Sequence, residues 1–247
     1  MKSIATGNLP TFLSSKVRES MARLQEEGLT TFALTSLLQS HLLNLADIGN
    51  DTTTRRHANV IYDQLVSWMD IILRIPEGRQ RALDVHSLAE RAIEKAAQAY
   101  AADQAPSCHK GCSFCCHTQV SIGGSEGEFI KDYADRHNID WDRGKARAQA
   151  DQQEPHLYPT RLSWSESACV FLNPDGACRI YEARPLSCRK LVVVSQPQLC
   201  DPRDKNSPSY LMNLEAEIIS AAFYNVELST ESKIWPLPAY LSKGNSC

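Results

Sequence analysis

The sequence predicts a mainly α-helical fold: an N-terminal helical bundle, a cysteine-rich irregular subdomain, and a C-terminal helix. Three observations carry this expectation. Over the first hundred residues apolar side chains recur every three or four positions. From Pro106 to about Gly124 that period gives way to cysteines, glycines and turn residues. Near the end Leu211, Leu214, Ile218 and Phe223 restore it. The expected divisions are 1–103, 104–204 and 205–247. The 247 residues suit one large domain or two small ones. A chain of this length buries roughly 70–75 % of its unfolded surface, so its core does not require disulfides.

The elements follow in order. Thr11 to Glu27 sets Leu13, Val17, Met21 and Leu24 on one helical face, with Gly28 as C-cap. Thr30 to Ile48 repeats the pattern through Leu34, Leu37, Leu38, His41, Leu42 and Leu45, and His41 reads as a packed core residue. Asp51 or one of Thr52 to Thr54 caps a third helix, through Val60, Ile61, Leu65, Trp68, Met69 and Ile72 to the stop at Pro76. A fourth spans about Arg79 to Asp103. Short connections let these segments pack as a bundle. Ser125 and Glu128 have capping-box spacing, which predicts a helix to about His137. Trp141 to Gln153 reads as a polar helix and 154–167 as a loop. Asn173-Pro174-Asp175-Gly176 is a turn signal. Pro208 suits the first turn of the last helix, and the tail with Pro236 and Pro238 reads as an irregular strap.

Charge and hydropathy narrow the classes of partner. The net charge is −3 and no basic stripe is present, which argues against nucleic acid, since phosphate neutralisation needs clustered Lys and Arg. No apolar run approaches the ~20 residues of a membrane span. Met1 to Pro10 lacks the apolar core of a secretory signal, so a cytoplasmic location is expected. In that compartment thiols stay reduced, and nine cysteines are read as metal ligands or redox groups before disulfides.

The cysteines fall into two groups. Cys108-His-Lys-Gly-Cys112-Ser-Phe-Cys115-Cys116 places four thiols within nine residues, and short loops with Gly111 let several sulfurs converge. The second group is Cys169, Cys178 and Cys188, with Cys200 after it, each beside turn chemistry. Cys115 and Cys116 are adjacent, so their side chains are expected to diverge. They suit two metals, a bridging role, or one ligand and one free thiol better than a shared tetrahedral zinc. The candidate metal ligands are therefore Cys108, Cys112, Cys115, Cys116, Cys169, Cys178, Cys188 and Cys200, enough for two four-thiolate sites or one site with spare thiols. Four thiolates around an ion or cluster leave about −2 locally. Lys110, Arg179, Arg184, Arg189 and Lys190 stand near enough in sequence to offset this or to remain surface charges. Competing readings are a Cys112-x-x-Cys115 redox pair, a disulfide scaffold, and a Cys–His pair using His109 or His117. Cys247 reads as a free, exposed thiol.

Taken together, these residues resemble the YkgJ-type cysteine-cluster family, described as zinc- or iron-chelating. That family joins a Cys-x3-Cys-x2-Cys-Cys cluster to a block of the form Cys-x-Phe-Leu … Gly-x-Cys-x-Ile-Tyr-x-x-Arg-Pro-x-x-Cys-Arg. Cys108, Cys112, Cys115 and Cys116 match the first part. Cys169, Phe171, Leu172, Gly176, Cys178, Ile180, Tyr181, Arg184, Pro185, Cys188 and Arg189 match the second. Glu126 sits where the family often has a glutamate. The resemblance spans about 106–200 and implies a zinc or iron ion as cofactor, or a 4Fe–4S cluster.

The segment is also similar to the cysteine-rich part of flagellin lysine-N-methylases, which implies an iron–sulfur enzyme as the alternative; no glycine-rich loop for a methyl donor accompanies it. In that alternative Glu126, Tyr181 and Arg184 are the first candidates to line a substrate pocket. A third reading is an interaction adaptor whose N-terminal helices bind a protein partner while a metal staples the rest.

Overall fold

Helical periodicity in the sequence becomes helix in the structure wherever the chain is described. The computed structural model describes residues 13–27, 52–100, 106–152, 162–204, 206–211, 213–230 and 233–243. The helix expected over 30–48, with His41, and the terminal Cys247 lie outside the described residues. Three long helices come first, α1 (Ser15–Glu26), α2 (Thr52–Leu73) and α3 (Arg79–Tyr100). A 3-10 turn at Phe114–His117 leads to strand β1 (Ser121–Gly123), α4 (Gly124–Arg136), α5 (Arg143–Ala150) and the short α6 (Trp164–Ser167). A second 3-10 turn at Tyr181–Ala183 precedes α7 (Leu186–Arg189), and a third occupies Pro197–Cys200. Helix α8 (Leu214–Ser229), strand β2 (Ile234–Pro236) and α9 (Leu237–Ser242) follow. The fold is mainly α, as expected.

Two cores organise it. In the first, Leu13, Val17, Met21 and Leu24 meet Leu65, Met69 and Ile72 of α2 and Val85 and Ala89 of α3. Helix α8 supplies Ile219, Ala222, Phe223 and Val226 to the same core and is buried around most of its circumference. The C-terminal helix thus joins the N-terminal ones directly, packing on both α2 and α3. The second core gathers Ile122, Phe129, Ile130, Phe171, Ile180 and Ala183 with Leu237 and Leu241 of α9. Leu186 from the cysteine-rich segment sits in the first core and Ala82 of α3 in the second, so α3 and α7 lie where the two meet.

Several boundaries differ from the expected ones for physical reasons. Helix α4 begins at Gly124, and it is Glu126, not Glu128, that turns back to accept from the Gly123 N–H at 3.0 Å. Ser125 lies inside the helix and is engaged by Glu227. Part of the expected 154–167 loop is helical. Ser163 Oγ accepts from Glu166 N at 3.3 Å while Glu166 Oε2 accepts from Ser163 N at 2.9 Å, a complete capping box for α6. Pro208 lies before the last helix instead of in it. Tyr210 pairs with Val193, and α8 starts only after Asn213, whose side chain caps Ala216 N at 3.1 Å. The tail is not irregular: β2 pairs antiparallel with β1, Ile122 opposite Trp235, and Pro238 sits in the first turn of α9.

One buried ion pair fastens α3 to α8. Arg81 Nη1 donates to Glu227 Oε1 at 3.1 Å, with side-chain exposures of 4 % and 0 %. The carboxylate also accepts from Ser125 N and Ser125 Oγ, each at 2.8 Å, so no oxygen is stranded. Removing one partner of such a pair leaves a buried charge, which costs more than the pair itself contributes. Arg81→Ala is therefore expected to lower unfolding free energy by about 3–5 kcal/mol in denaturant titration, and Arg81→Met with Glu227→Leu to recover most of it. The surface carboxylate Asp70 is a contrast. Partial burial pushes its carboxyl up, but hydrogen bonds from Arg74 and Arg23 hold it below the ordinary range. Asp70→Asn should cost about 0.5–1 kcal/mol near neutral pH, a difference that vanishes as pH falls through the carboxylate range.

Candidate metal centre

The first cysteine loop is anchored to the chain after α7. Ser107 N donates to Val193 O at 2.9 Å, and Val193 N donates to Cys108 Sγ at 3.3 Å. Gly111 takes a left-handed backbone, φ +95°, and Cys112 N closes a turn on His109 O at 3.1 Å. The 3-10 turn at Phe114–His117 then presents Cys115 and Cys116. Cys169 N donates to Cys116 O at 2.8 Å, which joins the two cysteine groups through the backbone.

The second group is built on a tight hairpin. Leu172 and Cys178 form a bridge, Arg179 N donates to Phe171 O at 2.9 Å, and Asp175 Oδ1 accepts from Ala177 N at 2.9 Å. Gly176 makes the turn with φ +83°. A Cβ at Gly176 would lie 2.7 Å from the Gly111 carbonyl oxygen, so the two cysteine loops touch here without room for a side chain. Cys188 comes from α7, whose first N–H, that of Leu186, donates to Glu126 Oε1 at 2.6 Å.

These loops enclose a cavity of about 120 Å³. Cys108, Cys112, Cys115, Cys116, Cys169, Cys178 and Cys188 all line it, so sulfurs 80 residues apart in sequence face one space. Cys200 does not line it. It ends the third 3-10 turn, which packs on the turn bearing Cys115, and it lies within electrostatic reach of Cys108, Cys115 and Cys112. All eight described cysteines are free thiols. The adjacent pair does not diverge as expected: Cys115 and Cys116 both line the cavity, and each thiol shifts the other's proton affinity. Among the described residues no group of three or more His, Cys, Asp or Glu side chains is drawn together tightly enough to hold a single ion as placed. The seven cysteines are instead distributed along the lining of the cavity.

Burial sets the proton affinities. It pushes the Cys169 thiol up to about 11 and the Cys188 thiol well above its ordinary value. The Cys200 thiol is likewise pushed up to about 11, by burial first and by neighbouring cysteines second. Cys115 is the exception. The hydrogen bond with Cys116 draws it down to about 7, burial opposes this, and Arg184 adds to it; the Cys116 thiol is correspondingly raised. Buried thiolates need a cation, and a bound metal supplies one.

The five basic candidates separate. Arg189 is buried and pairs with Glu90, its Nε on Arg184 O at 2.8 Å. Lys190 pairs with Glu217 at 2.7 Å, Arg179 bonds Val170 O at 2.7 Å, and Lys110 is exposed. Arg184 alone of the five lines the cavity. It lies over the Tyr181 ring, 4.0 Å from the centroid, and its buried Nε has no hydrogen-bond partner. Of the three residues named as pocket candidates, Tyr181 and Arg184 line the cavity and Glu126 does not; it stands behind α7. His109 lines the rim, whereas His117 is buried away from it, stacked on Trp164 at 3.4 Å between centroids. Sequence reading missed the apolar wall, which includes Val120, Ile180, Leu191 and Leu237; Leu237 comes from α9, a segment with no cysteine signal.

Residues 107–207 match the CxxCxxCC family, a putative zinc- or iron-chelating domain. The match covers the seven cavity cysteines and Cys200 and supports metal binding by this segment. The match covers about two fifths of the chain; α1 to α3, α8 and α9 lie outside it. No curated protein and no solved structure matches the chain. No helix among the described residues is long and apolar enough to cross a membrane.

The contact between the two cysteine loops of the chelating domain is testable. Gly176→Ala combines a left-handed backbone, roughly 1–2 kcal/mol for a residue with a side chain, with a clash against Gly111. It should lower the thermal midpoint and reduce metal retention together; full retention would show that the hairpin does not set the site.

Proposed function

We propose that the protein holds a polynuclear iron–sulfur centre through cysteine thiolates on the cavity wall. The observation that carries this reading is the set of seven cysteines lining about 120 Å³. A water-sized occupant needs only ~10–15 Å³. One ion with four thiolates at about 2.3 Å would leave most of that space empty, whereas a cluster of iron and sulfide uses both the volume and the extra thiols. When bound, such a group supplies electron transfer or an iron site open to a ligand. The chain's own residues supply the rest. Val120, Ile180, Leu191 and Leu237 add apolar lining, and Arg184 offers an unsatisfied Nε donor and a positive charge beside Cys115 and Cys178. An enzymatic role would use the same wall, with Tyr181 and Arg184 facing the bound ligand. Eight free thiols also favour a reducing compartment, the cytoplasm.

A mononuclear zinc site is the second reading, favoured by one observation. Cys200 lies within electrostatic reach of Cys108, Cys112 and Cys115, and these four thiols make a candidate set that includes three from the cavity lining. The two readings separate cleanly. Anaerobically purified protein should contain iron and acid-labile sulfide and absorb broadly in the visible. Cys188→Ser should abolish this and Cys200→Ser should leave it. A colourless protein with stoichiometric zinc, lost in Cys200→Ser and kept in Cys188→Ser, would overturn the cluster and establish the zinc site.

Arg184 gives a further test. Its charge stabilises the more negative, reduced state of the centre. Arg184→Gln should lower the midpoint potential in a redox titration, and Arg184→Lys should lower it less. An unchanged potential would remove Arg184 from the centre's surroundings.

A further inference from the structure

Glu126 is wholly buried, and four hydrogen-bond donors from four different elements converge on its carboxylate. Oε2 accepts from Gly123 N of β1 at 3.0 Å and from Tyr224 Oη of α8 at 3.4 Å. Oε1 accepts from Leu186 N of α7 at 2.6 Å and from His86 Nε2 of α3 at 2.8 Å. An ionised carboxylate only accepts, so His86 must present N–H at Nε2. His86 is 3 % exposed and its Nδ1 has no partner, so this one contact accounts for the polar side chain being there.

The consequence lies in α7, which carries Cys188. Leu186, two residues before it, is held by Glu126. Ser187, directly before it, donates to Tyr224 Oη at 2.7 Å, whose own proton goes on to Glu126. Arg189, directly after it, pairs with Glu90. His86 and Glu90 stand four residues apart, on one face of α3. Every neighbour of Cys188 is therefore fastened, directly or through Glu126, to α3 or α8. His86, Glu90 and Tyr224 all lie outside the segment that matches the chelating family.

We propose that α3 and α8 complete the metal centre: His86, Glu90 and Tyr224, with Glu126 as their hub, are positioning residues that fix Cys188 at the cavity wall. This deepens the metal-binding reading and rests on it. A packing role alone would require apolar residues at these points; instead, a buried carboxylate, a buried imidazole and a half-buried phenol surround one four-residue helix, whose own Arg189 pairs with Glu90. Buried polar groups of this kind are high-stakes when unsatisfied and rigid when paired. Residues behind metal ligands are known to set how firmly the ligand is held.

The test uses the full chain purified with its metal. His86→Ala, Glu126→Gln and Tyr224→Phe are compared with Met21→Ala, a core truncation in α1 that destabilises without touching α7. Transfer of metal to a competing chelator should be roughly 10–100-fold faster in His86→Ala and Glu126→Gln, and unchanged in Met21→Ala. His86→Gln keeps an N–H donor and should restore slow transfer. Tyr224→Phe removes a single hydroxyl and keeps the test alive if Glu126→Gln fails to fold. Metal-free protein gives a second readout: alkylation of Cys188, followed by peptide mass, should quicken in His86→Ala while Cys112 stays at the wild-type rate. If the variants lose only thermal stability, in step with Met21→Ala, and both rates stay at wild type, the positioning role is wrong. If wild type binds no metal yet Cys188 alkylation still responds to His86→Ala, the metal reading fails while the clamp on Cys188 stands.

Discussion

A buried carboxylate must find donors or forfeit its charge, and the way Glu126 meets that demand ties the structure together. Its four donors come from the bundle, the small sheet and the cysteine-bearing helix at once. The loops that carry most of the thiols contain little regular structure and cannot hold themselves in place by backbone ladders. They borrow rigidity from the two cores on either side. Arg81 and Glu227 do the same job one layer away, on Ser125, the residue next to Glu126. The polar ties therefore concentrate where the two apolar cores meet.

This arrangement gives the helices outside the matched segment a part in holding the cysteine loops. Thiols distributed along a cavity lining are not a preformed tetrahedron, and buried thiols favour their protonated forms. Something must keep sulfurs from distant loops facing inward until a cation draws their protons off. The hairpin through Gly176 does this for Cys178, the backbone bond from Cys169 to Cys116 joins the two groups, and α3 with α8 does it for Cys188. Arg184 then faces a site whose bound form would be negative, with a buried Nε that has no hydrogen-bond partner.

Much of this was legible in the sequence, and the gaps have physical causes. The amphipathic helices were readable because burial on one face leaves a period of three to four residues, as in Leu13, Val17, Met21 and Leu24. The thiol set was readable because cysteine carries its chemistry in its identity. Four things were hidden. Helix α8 is buried almost all round, so it has no polar face to mark its start, and Pro208 was a misleading signal where Asn213 is the true cap. The capping role went to Glu126 and Gly123 because the helix start is fixed by β1 pairing with β2, which links residues over 100 positions apart. The neighbours Cys115 and Cys116 line the same space because a tight 3-10 turn carries them, not the regular helix or strand for which divergence is expected. His86 and Tyr224 gave no signal at all, since a single buried polar residue on a helix looks the same in sequence whether it caps, clamps or merely packs.

X-ray absorption at the metal edge of anaerobically purified protein asks whether sulfurs from both ends of the matched segment surround one polynuclear centre. The expected spectrum has a first shell of sulfur alone at about 2.3 Å, as thiolate ligation requires, and a further shell of metal scatterers. A lone ion with nitrogen or oxygen neighbours and no metal–metal shell would contradict it.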